Sequence, residues 1–218
     1  MVISEQFLKS LASKQKLQNP YPVNPNDIVT PAAKAYLKRM QIVMGEPQKT
    51  EETTHLHAGM VVPKNHPRIV LRGKNDLLQS EIISAQIEFE NSGFKSLVDD
   101  LDAVMAYLQE LMRAEVKDEP LTDKKLLNLS LHEIHEHSHH PSQYYGVRHF
   151  LPSRKDGEIC ARLNRLRTRV RTVEIAALNA FPDGSRKDLI TAYNRLSSLF
   201  FVMMVKVKGG LYTHATNR

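Results

Sequence analysis

Residues 161–178 read ARLNRLRTRVRTVEIAAL, and the way this stretch is folded decides the rest. Leu163, Leu166, Val170, Val173 and Ala177 recur at i, i+3 and i+4 steps, the spacing of one helical face that must be buried. Arg167, Arg171 and Glu174 fall beside that stripe on an arc of roughly 60°, since each residue turns a helix by about 100°. Arg162, Arg165 and Arg169 occupy the opposite shoulder. Two guanidinium groups one turn apart repel each other. An anion or acidic partner is therefore expected beside Arg167 and Arg171, and the planar guanidinium fork suits phosphate.

Other segments repeat the helical pattern. Thr30-Pro31 is a helix start, with Thr as N-cap and Pro at the first helical position, and AAKAYLKRM follows. Leu78, Ile82, Ala85 and Phe89 mark a helix opening at Asn75 or Asp76 and running to about Asn91. Phe94, Leu97, Leu101, Val104, Leu108 and Leu111 mark a long helix at near-heptad spacing. A shorter helix is expected over 123–139, and a last one over 185–207 with Leu189, Tyr193, Leu196, Phe200 and Met203 inward. Strand signals are sparse. The expected fold is all-α: an up-and-down bundle of five long or medium helices joined by turns. The chain is expected to be a single domain over 1–218, with residues 1–29 a proline-containing N-terminal arm and 41–66 an irregular loop segment.

The chain has 218 residues, formal charge +6 and ten histidines. That balance calls for an anionic partner. No apolar run approaches the ~18 residues of a spanning helix, so a soluble, cytoplasmic protein with no membrane role is expected. Cys160 is the single cysteine, which excludes an internal disulfide and any cysteine metal cluster. Neither a P-loop nor a dinucleotide-binding glycine motif occurs, so a nucleotide would be held mainly by side chains. The histidine segment LHEIHEHSHHP places His132, His135 and His139 on one helical face. It misses the His-Glu-x-x-His zinc pattern, because the second histidine comes one residue early. Asp118-Glu119 reads as a cap and turn rather than a catalytic pair.

Five blocks, in order, carry a resemblance. They are THLHAGMVVPKNHPRIVLRGKNDLL, MRAEVKDEPL, EIHEHSHHPSQY, LNRLRTRVRTVEIAA and AYNRLSSLFFVMM. Together they resemble the ethanolamine-utilisation type of ATP:cob(I)alamin adenosyltransferase, over most of residues 30–206. The last two blocks also resemble the propanediol-utilisation type, with its Arg-x-x-x-Arg-x-x-Glu and Asn-Arg-Leu-Ser helices. The resemblance implies a ferritin-like helical bundle and a homotrimer with its site between subunits. It also implies transfer of the 5′-deoxyadenosyl group of ATP to the cobalt of cob(I)alamin. The substrates are then ATP and cobalamin, with Mg²⁺ as cofactor. The product, adenosylcobalamin, serves ethanolamine ammonia-lyase. A cobalamin reductase and an ethanolamine microcompartment are the implied associates, and nucleic acid is not.

By the same resemblance Arg167, Arg171 and Glu174 are the catalytic group. Asn194 contacts the nucleotide or Mg²⁺, the metal being held by Asn194 and the ATP phosphates. Lys64 lies near the phosphates, and Thr54 and His55 stand where the broader group has its phosphate loop. Asp76 pairs with Arg167 across the subunit interface. Tyr144, Tyr145 and Phe150 are the candidates for an aromatic wedge beneath the corrin ring, Tyr144 and Phe150 foremost. The sequence departs from the pattern in three places. Thr172 and Ile175 replace arginines, Ser198 replaces an acidic residue, and residues 44–52 lack the His-and-Cys metal motif. No zinc or iron site is therefore expected. Two other readings stay open at this stage: a nucleic-acid-binding helical module and a non-catalytic corrinoid carrier.

Overall fold

The computed structural model describes residues 1–45, 50–57, 60–122 and 124–212. They divide into two compact units, Met1–His66 and Pro67–Arg218.

The first unit is a folded body where the sequence suggests an arm and a loop. Strand β1 (Val2–Ile3) leads through Ser4 into helix α1 (Glu5–Ser13), the Ser4 hydroxyl accepting from the Phe7 amide at 3.2 Å. Strand β2 (Tyr21–Pro22) precedes β3 (Ile28–Val29), which pairs in parallel with β1. Helix α2 (Pro31–Arg39) starts as expected, Thr30 accepting from the Ala33 amide at 3.2 Å. Strand β4 (Met44–Gly45) returns to pair with β2. Ile3, Leu8, Tyr21, Ala33, Tyr36 and Leu37 form a small buried core. Two-residue strands have no period to read, which is why composition alone suggests a free arm. Strands β5 (Thr53–His57) and β6 (Met60–Pro63) form an antiparallel pair within the segment read as irregular.

The second unit is helical. Helix α3 spans Pro67–Asn91, two turns longer at its start than the sequence suggests, and α4 spans Lys95–Lys117. Gly73 argues against continuing the helix N-terminally, because glycine costs about 1 kcal/mol there. Tertiary contacts outweigh it. Leu71 is buried, and Arg68 and Arg72 both grip the buried carboxylate of Glu115 on α4, the Arg72 contact being 2.6 Å. Helix α5 is confined to Leu131–His139 rather than 123–139. Leu127 and Asn128 adopt positive φ and turn the chain, and a Ser130/Glu133 capping box starts the helix afterwards. Asp123, the expected start, lies outside the described residues. A short α6 (Pro141–Tyr145) follows, then α7 (Gly157–Ala180) and α8 (Lys187–Lys208).

Side-chain pairs fix the directions. Gln86 with Asp102 and Arg72 with Glu115 make α3 and α4 antiparallel. Arg169 with Glu81 and Arg162 with Glu88 do the same for α3 and α7. Asn194 with Glu174 and Cys160 with Met204 set α8 antiparallel to α7. Leu121 meets Asp188 and His149 meets Phe201, so α5 and α6 between them run alongside α8 in its own direction. The α7 stripe is buried as its spacing predicts: Leu163, Leu166, Val170, Val173 and Ala177 are all fully enclosed. Each of its larger side chains contributes about 1.5–3 kcal/mol relative to exposure. That burial fixes the rotation of α7 and therefore which arginines face which neighbour.

Candidate active site

The two arginine shoulders of α7 have different partners. On one, Arg169 donates to Glu81 of α3 at 2.7 Å, Arg165 reaches the same carboxylate at 3.5 Å, and Arg162 reaches Glu88 at 3.1 Å. Glu81 is buried, and the hydrogen bonds from Arg169 outweigh desolvation to hold its pKa below the ordinary value. On the other shoulder, Arg167 bonds only the neutral Asn164 side chain, at 3.0 Å, and no carboxylate pairs with Arg167 or Arg171 among the described residues. Burial, and then the adjacent Arg171 guanidinium, lower the Arg167 pKa. Two cations held together without a counter-charge form an anion site.

Both arginines line a cleft of about 530 Å³ between α5, α7, α8 and the 149–152 segment. Glu174 stands one turn from Arg171 on the same wall. Its carboxylate accepts from the Asn194 amide of α8 at 2.9 Å, and the Asn194 oxygen in turn accepts from the Arg195 guanidinium. The third wall is α5, which presents His135 and His139 with ring centroids 4.3 Å apart. Desolvation, then the nearby charge of Arg195, lower the His135 pKa. The cleft also carries aromatic surface. Phe150 and His149 pack on Phe201 at centroid distances of 5.7 and 4.7 Å.

The cleft gathers cations, a carboxylate and aromatic surface within one helical bundle. A family model for cobalamin adenosyltransferases matches residues 48–207. The chain belongs to the cobalamin adenosyltransferase family. It is 34% identical over 194 residues to the corrinoid adenosyltransferase EutT of Salmonella typhimurium, covering 86% of this chain and 70% of that protein. It is 35% identical over 162 residues to the EutT protein of Escherichia coli K12, covering 72% of this chain and 59% of that one. No solved structure gives a significant match.

For a member of this family, the expected residues fall into four groups. Arg167, Arg171, Glu174, Asn194 and Phe150 all line the one cleft. Tyr144 does not: it stacks on His137 with centroids 3.7 Å apart, and Tyr145 bonds the same imidazole at 2.7 Å, so this trio latches α5 to α6. Asp76 is exposed on α3, and no ion pair joins it to Arg167 within the chain among the described residues. Thr54, His55 and Lys64 belong to the first unit, the two former on β5 and Lys64 exposed just after β6.

Arg195, His135, His139 and Phe201 are cleft residues that sequence reasoning did not place. Ser198 and Phe201 follow Asn194 at helical spacing, four and seven residues on, and could have been read from it. The histidines could not, because their role depends on α5 running beside α8. Among the described residues no group of three His, Cys, Asp or Glu side chains is arranged to hold a metal. The Asn194 oxygen through which Mg²⁺ was expected to bind already accepts from a guanidinium. The donor set therefore suits Mg²⁺ only where phosphates supply most of its ligands.

Proposed function

We propose that the cleft is the nucleotide site of an ATP:cob(I)alamin adenosyltransferase, and one observation carries this reading. Arg167 and Arg171 alone among the arginines of α7 are left without a carboxylate among the described residues, and both line the cleft. In the reaction the electron pair of Co(I) attacks the 5′ carbon of ATP. The Co–C bond forms, the C–O bond to the triphosphate breaks, and the triphosphate leaves with that electron pair. The chain's task is to hold the two reactants in line and to stabilise the charge that grows on the departing oxygen. Arg167 and Arg171 supply that charge by forked hydrogen bonds. Glu174, tied to Asn194, keeps the arginine edge and the α8 wall in register. No proton moves, so no acid–base pair is needed. Mg²⁺, carried by the triphosphate, supplies further charge neutralisation.

The remaining assignments belong to the same proposal. Asp76 pairs with Arg167 of a neighbouring copy in a homotrimer. Lys64, Thr54 and His55 contact phosphate. Phe150, packed on Phe201, meets the corrin ring. Adenosylcobalamin made here supplies ethanolamine ammonia-lyase in the cytoplasm or a microcompartment, with a reductase providing Co(I). No helix among the described residues is long and apolar enough to cross a membrane. The test is direct. Under anaerobic, strongly reducing conditions with ATP and Mg²⁺, the protein converts cob(I)alamin into adenosylcobalamin, followed by its absorption spectrum. Absence of product there contradicts the reading.

A further inference from the structure

The Asn194 amide sits between two groups of opposite hydrogen-bonding character. Glu174 offers only acceptors and contacts the amide nitrogen at 2.9 Å, while Arg195 offers only donors and contacts the amide oxygen. Turning the amide over would set oxygen against carboxylate and NH₂ against guanidinium, losing both charge-assisted bonds and adding two repulsions. Arg195 has no carboxylate partner among the described residues, although it lines the same cleft. Arg186, on the approach to α8, is by contrast paired with Asp188 at 2.9 Å.

We propose that Arg195 is a positioning residue that fixes the polarity of the Asn194 amide, so that Asn194 meets the nucleotide as a hydrogen-bond donor. The proposal rests on reading the cleft as the nucleotide site. With its oxygen turned to Arg195 and one N–H turned to Glu174, Asn194 keeps a second N–H for an acceptor on the substrate, a phosphate or ribose oxygen. A divalent cation on the Asn194 oxygen would share that oxygen with a guanidinium, so Mg²⁺ is directed onto the phosphates instead. The relay also offsets the Glu174 charge, which lets a carboxylate persist beside the site of a polyanion.

The experiment is a double-mutant cycle on the full chain, reading kcat and KM for ATP at saturating cob(I)alamin, with thermal melts to confirm folding. Arg195→Gln is expected to lower kcat about tenfold, the scale of one charge-assisted hydrogen bond, while KM for ATP stays within about twofold. Arg195→Lys, which keeps a charged donor, is expected to recover most of the loss. In an Asn194→Ala background the Arg195→Gln change is expected to cost less than about twofold, because the residue it acts through is gone. Three outcomes overturn the proposal. One is a raised KM with kcat kept, which makes Arg195 a direct phosphate ligand. The second is an equal loss in both backgrounds, and the third is wild-type kinetics in Arg195→Gln. Should Arg195→Gln not fold, Arg195→Met, which also removes the charged donor, gives the same comparison in the two backgrounds. A wild-type protein that forms no product would instead contradict the assignment of the cleft itself.

Discussion

Asn194 of α8 donates its amide N–H to the Glu174 carboxylate of α7 at 2.9 Å, which joins the two helices across the floor of the cleft. Glu174→Gln keeps the shape of this contact and removes its charge. Turnover is expected to fall ten- to a hundredfold, by about the worth of a charge-assisted hydrogen bond. ATP affinity should hold or tighten, since a carboxylate has been taken from beside a polyanion. Steady-state kinetics with calorimetric titration of ATP separate the two effects.

Phe150 packs on Phe201 in the same cleft that Arg167 and Arg171 line. Phe150→Ala is expected to raise KM for cobalamin about tenfold, the scale of one buried aromatic contact of 1.5–3 kcal/mol only partly realised at a surface. KM for ATP should stay near wild type. Tyr144→Ala, which breaks the stack on His137, should act on the melting temperature instead of on either KM.

The sequence made the bundle legible wherever one apolar stripe ran long enough. The α7 stripe is buried as its spacing requires, and its rotation separates Arg167, Arg171 and Glu174 from Arg162, Arg165 and Arg169 before any coordinates are known. Element starts were harder. Pro67 begins α3, but Gly73 hides the continuity, and only the Arg68 and Arg72 contacts with Glu115 restore it. The first unit was opaque because paired two-residue strands carry no period. In the cleft, the blocks on α7 and α8 give Glu174 and Asn194, while His135 and His139 enter only through the packing of α5 along α8. Periodicity says which face of a helix is buried, but not which neighbour it meets.

Glu81 supplies a pH test of the structural shoulder. Its pKa is held below the ordinary 4.5 by the hydrogen bonds from Arg169. A carboxylate with a depressed folded pKa adds stability that is complete above the unfolded value and is lost as pH falls through the folded value. Wild type should therefore melt above Glu81→Gln at neutral pH, and the gap should close on acidification below about pH 4.5. Thermal melts of both proteins across the acid range check this. A gap independent of pH would mean that the Glu81 charge is not what joins α3 to α7.

The division of the α7 arginines is the central claim, and a paired substitution tests it. Arg169→Ala leaves the buried Glu81 carboxylate with its weaker partner Arg165 and should cost about 1–2 kcal/mol of stability. That lowers the melting temperature by a few degrees while turnover per folded molecule stays close to wild type. Arg171→Ala removes a cation with no carboxylate partner among the described residues, so folding should be unaffected and adenosylcobalamin formation should fall a hundredfold or more, about the loss of one transition-state donor. The measurement is the rate of adenosylcobalamin formation by the two variants, normalised to folded protein. A large loss for Arg171→Ala with little for Arg169→Ala is the predicted result. Equal losses, or the reverse order, would contradict it.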